Sequence, residues 1–289
     1  MFYDNFIELE TEIKNNVSRA LAEDMGAGDL TASLIPVGES AAATVTSRED
    51  AVLCGTLWFD ICFRQLSPQT EVSWLAQDGD KITAGQRLCE ISGPARALLT
   101  GERTALNFLQ LLSAVATQTS RYVHAVAGTG AVIADTRKTL PGLRLAQKYA
   151  VRCGGGVNQR LGLYDGILIK ENHIMAAGGI GPALRAAQKI ASPGISVQIE
   201  VETLDDLRQA LDAGAKLILL DNFDLGALRE AVVLNARLTN RGAALEASGG
   251  ITLDNVRAVA KTGVDRISIG SLTKDIKAVD LSMRFSTKS

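Results

Sequence analysis

The stretch VQIEVETLDDLRQALDAGAKLILLD (197–221) decides the fold. Its two ends, Val197–Ile199 and Leu217–Leu220, are short apolar runs of strand type, and residues 203–213 between them are amphipathic at helical spacing. Thr203 is placed to cap that helix, Asp206 follows three residues later, and Gly214 closes it. A strand, a helix and a strand in this order pair in parallel, and near-continuous apolar strands predict burial on both faces.

Working outward, the same alternation fills the chain after Gly130. The runs are Ala131–Ala134, Gly166–Ile169, Val197–Ile199, Leu217–Leu220, Ala243–Ala247 and Arg266–Ile269, and residues 252–263 repeat the helix design. Six strands fall short of the eight of the common βα barrel, so periodicity leaves an open doubly wound sheet and a closed barrel side by side. Before Gly130 the texture differs. A helix is predicted over 6–25 and another over 97–127. Between them, β-favouring runs (AATVTS, AVLCG, EVSWLA, RLCEIS) separated by turn formers read as a small β-rich domain.

Composition narrows the function. A net charge of −2 gives no general attraction to nucleic acid or to an anionic membrane, so any anion site must be local. No run reaches the ~18 apolar residues of a membrane span, and the opening MFYDNFIELETEIKNN lacks the pattern of a signal peptide; the expected location is the cytoplasm. Cys54, Cys62, Cys89 and Cys153 form no C-x-x-C pair and read as reduced, mostly buried thiols. With only two histidines, His124 and His173, a zinc centre or a Ser-His-Asp triad is not expected. There is no P-loop, and Gly154-Gly155-Gly156 does not follow a strand as a dinucleotide fingerprint would.

The ends of the apolar runs carry the chemistry. They stop at Asp135 (then Thr136-Arg137-Lys138), Lys170, Glu200 (with Glu202 two residues on), Asp221, Ser248-Gly249-Gly250 and Gly270-Ser271. Parallel barrels place their active sites at the carboxyl ends of strands, which favours convergence of these residues on one face over loops that are merely wet. Residues 137–170 hold seven basic residues against the single acid Asp165, a local anion site in a chain of net charge −2. Arg144, Lys148 and Arg152 are expected on a solvated helix face; Arg137, Lys138 and Lys170 adjoin strand ends and suit carboxylate and phosphate. The two glycine-serine turns offer bare amides for phosphate. Glu200 and Asp221 suit Mg²⁺ or ribose hydroxyls, or else internal ion pairs with Lys170 or Lys138.

The segments GERTALNFLQ (101–110), DTRKTLPGLR (135–144), KYAVRCGGGVNQRLGLYDGILIKENHI (148–174) and ISIGSLTK (267–274) strongly resemble quinolinate phosphoribosyltransferase, and LAEDMGAGDLTASLIP (21–36) resembles that family's N-terminal segment. The resemblance implies an α/β fold with an N-terminal α/β sandwich domain (1–114, completed by 275–289) and a C-terminal, seven-stranded, barrel-like α/β domain (115–274). It implies a homodimer with shared active sites, open to further assembly. The implied reaction joins quinolinate to phosphoribosyl pyrophosphate (PRPP) with Mg²⁺, giving nicotinate mononucleotide, pyrophosphate and carbon dioxide on the route to NAD.

Carried over by motif, Arg103 is donated across the dimer. Arg137 and Arg160 face the substrate carboxylates, and Thr136, Lys138 and Lys170 hold quinolinate and PRPP oxygens. Glu200 and Asp221 lie by the ribose and the metal. Ser248-Gly249-Gly250 and Gly270-Ser271-Leu272 bind phosphate. Lys138, Glu200 and Asp221 are the expected catalytic set. Gln159 departs from the family's usual N-H-R: it donates a hydrogen bond but carries no charge at neutral pH, so a positional role is expected there.

The alternatives are a paralogue of the same fold acting on another substrate, such as nicotinate, and a carrier module. The latter rests on the biotinyl-like cadence of DGDKITAGQRLCEISG (78–93), which lacks the exposed lysine turn of such modules.

Overall fold

The structure, a computed structural model, describes residues 6–240 and 242–286. The first five residues, read as part of a segment unlike a signal peptide, and the last three, expected in the segment completing the first domain, lie outside the described residues, as does Arg241. No described helix is long and apolar enough to cross a membrane.

In chain order the first part comprises α1 (Phe6–Met25), β1 (Ser40–Ser47), β2 (Ala51–Val52), α2 (Thr56–Leu66), β3 (Glu71–Trp74), β4 (Lys81–Ile82), β5 (Arg87–Pro94) and α3 (Ala95–Ala125). There follow β6 (Val132–Ala134), α4 (Arg144–Cys153), β7 (Gly166–Ile169), α5 (Glu171–Ala177), α6 (Ile180–Ile190), β8 (Ser196–Val201), α7 (Leu204–Asp212) and β9 (Leu217–Asp221). The chain continues through α8 (Leu225–Thr239), β10 (Ala244–Ser248), α9 (Val256–Ala260), β11 (Arg266–Ser268), α10 (Ser271–Lys274) and β12 (Leu281–Phe285).

Contacts divide the chain into two units: 1–118 with 140–155 and 274–289, and 119–139 with 156–273. The first contains an antiparallel sheet in the order β12-β1-β5-β3 and the short pair β2-β4. Its core joins Ile13, Val17, Trp58, Phe59, Phe63, Leu106, Leu109, Ala146 and Val151. Phe59 sits edge-on to both Phe63 and Trp74, at 5.0 and 5.3 Å between ring centroids. Helix α4 belongs to this core, which corrects one expectation. Arg152 is exposed, but Lys148 is fully buried, so the Arg144–Lys148–Arg152 series is not one solvated face.

The second unit is a six-stranded parallel sheet, β6-β11-β10-β9-β8-β7, as alternating strands and helices require. Thr203 caps α7 as expected, its hydroxyl accepting from the Asp206 amide at 3.1 Å. The resemblance implied seven strands and a barrel-like closure. Among the described residues the seventh place is a single parallel bridge, Ala134–Val157, beside β6, and no ladder closes the sheet onto β7.

The strands also differ from the prediction of two apolar faces. Ile167, Ile169, Ile199, Val201, Ile218, Leu220, Leu245, Ala247 and Ile267 pack into the helix-side core. The alternate residues, among them Glu200, Asp221, Glu246, Ser248 and Ser268, line a cavity instead.

Candidate active site

The cavity lies within the second unit and has a volume of about 330 Å³. The strand register builds its floor. Glu200, Leu219, Glu246 and Arg266 are successive partners across β8, β9, β10 and β11, and one step further along the strands Asp221 pairs with Ser248. The walls bring together Thr136, Arg137 and Lys138 after β6, Gln159 and Arg160 from the loop after Val157, and Lys170 after β7.

Asp135 directly follows β6 but does not line the cavity. It is fully buried, and its carboxylate accepts from the Gln159 amide N–H at 2.8 Å and from Asn158 Nδ2 at 2.6 Å. It therefore fixes the loop that carries Gln159 and Arg160. Asp165 fixes the far side of that loop, accepting from the backbone amides of Leu161 and Gly162 at 2.8 Å each. Thr136 Oγ1 accepts from the Lys138 amide at 3.0 Å, and the Lys138 carbonyl accepts from Thr273 Oγ1 at 2.8 Å. Gly270 runs close behind: a Cβ there would meet Lys138 Cδ at 3.0 Å.

The basic wall brings Arg137 and Arg160 together. Arg137 Nε is buried and has no hydrogen-bond partner, a costly state for a guanidinium donor unless an anion takes it. Arg160 Nη1 donates to the Gly166 carbonyl at 3.0 Å. Burial, then the like charge of Arg137, pulls the Arg160 guanidinium below its ordinary value, with Asp165 opposing.

The acidic wall faces this cluster. Carboxylate oxygens of Glu200, Glu202 and Asp221 lie within 4.8 Å of one another. Lys170 Nζ stands 3.3 Å from Glu200 Oε2, so the internal ion pair weighed from the sequence is present. Asp221 accepts from Asn222 Nδ2 at 2.9 Å. Asn222 has φ +57° and its amide donates to the Ser248 carbonyl. Gly249, at φ +98°, is required here, because a Cβ would collide with the Asn222 side chain and backbone.

Of the residues expected at the phosphate turns, Ser248 lines the cavity, and Gly249 and Gly250 follow it, exposed. Leu272 is different: its side chain is fully buried in the core, leaving only its backbone for a ligand. Arg103 stands exposed on α3 in the first unit, near Asp29 and Thr100.

Sequence reasoning missed the polar network under the cavity. Gln159 Nε2 donates to Gln198 Oε1 at 3.1 Å and to Glu246 Oε1, and Gln198 Nε2 donates to Glu246 Oε2 at 3.2 Å. Arg266 Nε is ion-paired to Glu246 Oε2 at 3.3 Å, without hydrogen-bond alignment. The signal was available: Gln198 and Glu246 interrupt apolar strand runs, which a strand buried on both faces does not permit without partners.

Comparison with known proteins identifies the family. Residues 29–113 match the profile of the quinolinate phosphoribosyl transferase N-terminal domain, and residues 115–284 that of its C-terminal domain. A probable nicotinate-nucleotide pyrophosphorylase (carboxylating) of Bacillus subtilis (strain 168) is 41% identical over 272 residues, covering 94% of this chain and 93% of that protein. A quinolinate phosphoribosyltransferase (decarboxylating) of Nicotiana tabacum is 37% identical over 298 aligned positions, covering 96% and 83%. The solved nicotinate-nucleotide pyrophosphorylase of Francisella tularensis superposes with a TM-score of 0.91 at 44% identity, covering 96% of this chain and 97% of that one.

Proposed function

The chain belongs to the quinolinate phosphoribosyl transferase family, and from that premise we propose that it transfers the phosphoribosyl group of PRPP to quinolinate with decarboxylation. The products are nicotinate mononucleotide, pyrophosphate and carbon dioxide, in de novo NAD synthesis. The observation that carries the reading is the Arg137–Arg160 pair: two guanidiniums close enough to repel, one with an unpartnered buried Nε. Such a pair suits a dicarboxylate better than the single carboxylate of nicotinate.

In this reading Arg137 and Arg160 hold the two carboxylates, with Gln159 positioning the loop that carries Arg160. Lys138 and Lys170 bind quinolinate and PRPP oxygens. Thr136, Ser248, the amides of Gly249 and Gly250, and the turn Gly270-Ser271-Leu272 receive phosphate oxygens. Arg103 comes from the partner subunit of a homodimer, which is open to further assembly; the location is the cytoplasm.

Glu200, Glu202 and Asp221 fit Mg²⁺, being hard oxygen donors already gathered within 4.8 Å. The bound ion would offset the charge of departing pyrophosphate. As the C1–O bond to pyrophosphate breaks, positive charge grows on the ribose ring, and Asp221 and Glu200 stabilise it electrostatically. The quinolinate nitrogen then bonds to C1. The bond from the adjacent ring carbon to its carboxylate then breaks and carbon dioxide leaves; the electron pair stays on that carbon, stabilised by the neighbouring cationic nitrogen, and takes up a proton from solvent or Lys138.

The test is release of labelled carbon dioxide from carboxyl-labelled quinolinate. It should require both PRPP and Mg²⁺, and nicotinate in place of quinolinate should give no nucleotide. Turnover of nicotinate at a comparable rate would point instead to the paralogue.

A further inference from the structure

A second cluster, outside the cavity, joins two of the four cysteines to a carboxylate. The Sγ atoms of Cys54 and Cys153 and a carboxylate oxygen of Asp78 all lie within 4.8 Å of one another. All three residues belong to the first unit, in separate segments: Cys54 after β2, Asp78 in the turn after β3, and Cys153 at the end of α4. We propose that Cys54, Asp78 and Cys153 bind one thiophilic divalent cation of the zinc and cadmium class.

The carboxylate is already oriented. Asp78 Oδ1 accepts from the Gly55 and Thr56 amides at 3.0 and 3.1 Å, and Oδ2 accepts from the Tyr149 hydroxyl at 2.8 Å. Tyr149 is itself held against Trp58, at 5.5 Å between ring centroids. Ligating carboxylates carry outer hydrogen bonds of this kind, which fix them for the ion. The Cys54 backbone is pinned as well: its amide donates to Ser113 Oγ at 2.9 Å, and that hydroxyl donates to its carbonyl at 3.2 Å.

Two thiolates and a carboxylate around one tetrahedral zinc stand about 3.6–3.8 Å apart, from Zn–S of ~2.3 Å and Zn–O of ~2.1 Å. Closing from 4.8 Å or less needs at most about 1 Å, within reach of a cysteine rotation. Three protein ligands leave the fourth position to solvent, reached from the half-buried Cys153 side.

The chemistry selects the ion. Sulfur donors disfavour Mg²⁺ and Ca²⁺ and favour zinc and its heavier congener. Sulfur ligates as thiolate, so binding displaces the protons of the two thiols. The complex of two thiolates, one carboxylate and a divalent ion then carries one net negative charge. A disulfide would use the two sulfurs alone; the third, pre-oriented ligand is what singles out a cation. Nothing in this proposal depends on the catalytic reading.

The experiment uses the full-length protein stripped with a chelator. It is titrated with Cd²⁺, reading thiolate-to-cadmium charge-transfer absorbance, and with Zn²⁺ against a chromophoric chelator. We expect saturation at one ion per chain, release of two protons per ion, and an unchanged result in Cys62→Ser. Asp78→Asn should weaken Zn²⁺ binding by at least roughly tenfold, ~1.4 kcal/mol. Cys153→Ser should abolish the band; because it alters a half-buried helix end, it serves even where Cys54→Ser does not fold. Absence of a saturable band, or its survival in Cys153→Ser, overturns the proposal. So does a Cys54–Cys153 disulfide formed with peroxide in a protein that, when reduced, binds no cadmium.

Discussion

The side-chain amide of Gln159 donates to Glu246 Oε1 at 2.5 Å, so the residue that stands where the family more often has histidine is anchored to the protein's own carboxylate. That carboxylate is buried on β10 and also meets Gln198 and Arg266. The role proposed for Gln159 is therefore positional. In Gln159→His an imidazole N–H can donate to Glu246 in place of the amide, so kcat should stay within about tenfold, ~1.4 kcal/mol of barrier. A carboxylate neighbour raises an imidazole's pKa, so the variant's pH–rate profile should gain a step at or above ~6.5 that the parent lacks. A gain of a hundredfold or more in kcat would mean that proton transfer is missing from the parent site.

Arg137 and Arg160 are predicted to discriminate between the two substrates. Arg137→Ala removes a donor that has no internal partner, so the loss falls on the ligand. KM for quinolinate should rise by roughly ten- to a hundredfold, the ~1.5–3 kcal/mol of a charge-assisted hydrogen bond, while KM for PRPP moves far less. Equal effects on both would remove Arg137 from the carboxylate site.

The acidic wall is predicted to set the metal requirement. Asp221→Asn and Glu202→Gln both take a charge from the Glu200–Glu202–Asp221 cluster, so each should raise the Mg²⁺ concentration giving half-maximal activity. Glu202, exposed at the rim, should have the smaller effect. Activity that is indifferent to chelator in the parent enzyme would refute the assignment.

Much of this site was legible because its chemistry sits at element ends. Thr136–Lys138, Lys170, Glu200, Asp221 and Ser248 all line the cavity, and each follows or closes an apolar run visible in the chain. Side chains inside the runs were not legible as site residues. Gln198 and Glu246 were hidden by apolar neighbours, because a helix-side core and a polar cavity alternate along one strand with period two.

Helix boundaries failed where a side chain replaced the backbone. A helix was expected over 252–263 but runs only Val256–Ala260. Asn255 delays it: its Oδ1 accepts from the Thr252 amide and its Nδ2 donates to the Gly250 carbonyl. The sequence does not announce helix α2, because Asp78, 22 residues beyond Thr56, supplies the carboxylate at its start. No local pattern announces a cap that distant.

Alkaline pH should erode stability through the buried thiols, Cys62 and Cys89 among them. Burial pushes Cys62 and Cys89 from their ordinary value of 9.0 to about 12. Between those values the unfolded chain has released the proton that the folded chain keeps, so stability is full below pH 9.0 and falls as pH rises toward 12. The slope is about 1.4 kcal/mol per pH unit for each thiol. Urea unfolding in this window should show it, and Cys62→Ala should lower the overall stability yet flatten the slope. An unchanged slope in that variant would place the alkaline loss elsewhere.

Arg103 is the remaining cation of the proposed site, and it is not among the residues lining the second unit's cavity. It lies exposed on α3 of the first unit, near Asp29 and Thr100. If it serves the partner's cavity, Arg103→Ala and Lys138→Ala homodimers should each be nearly inactive. Mixed and allowed to exchange subunits, they should regain activity, because a heterodimer then has one site with both side chains intact. Random pairing makes half the dimers mixed and half of their sites whole, so the ceiling is about a quarter of parent activity in a two-fold dimer. Subunit exchange is verified separately with differently tagged chains. Exchange without recovered activity would mean that Arg103 serves its own subunit's site, or that its loss acts through folding, which the melting temperature of the Arg103→Ala homodimer distinguishes.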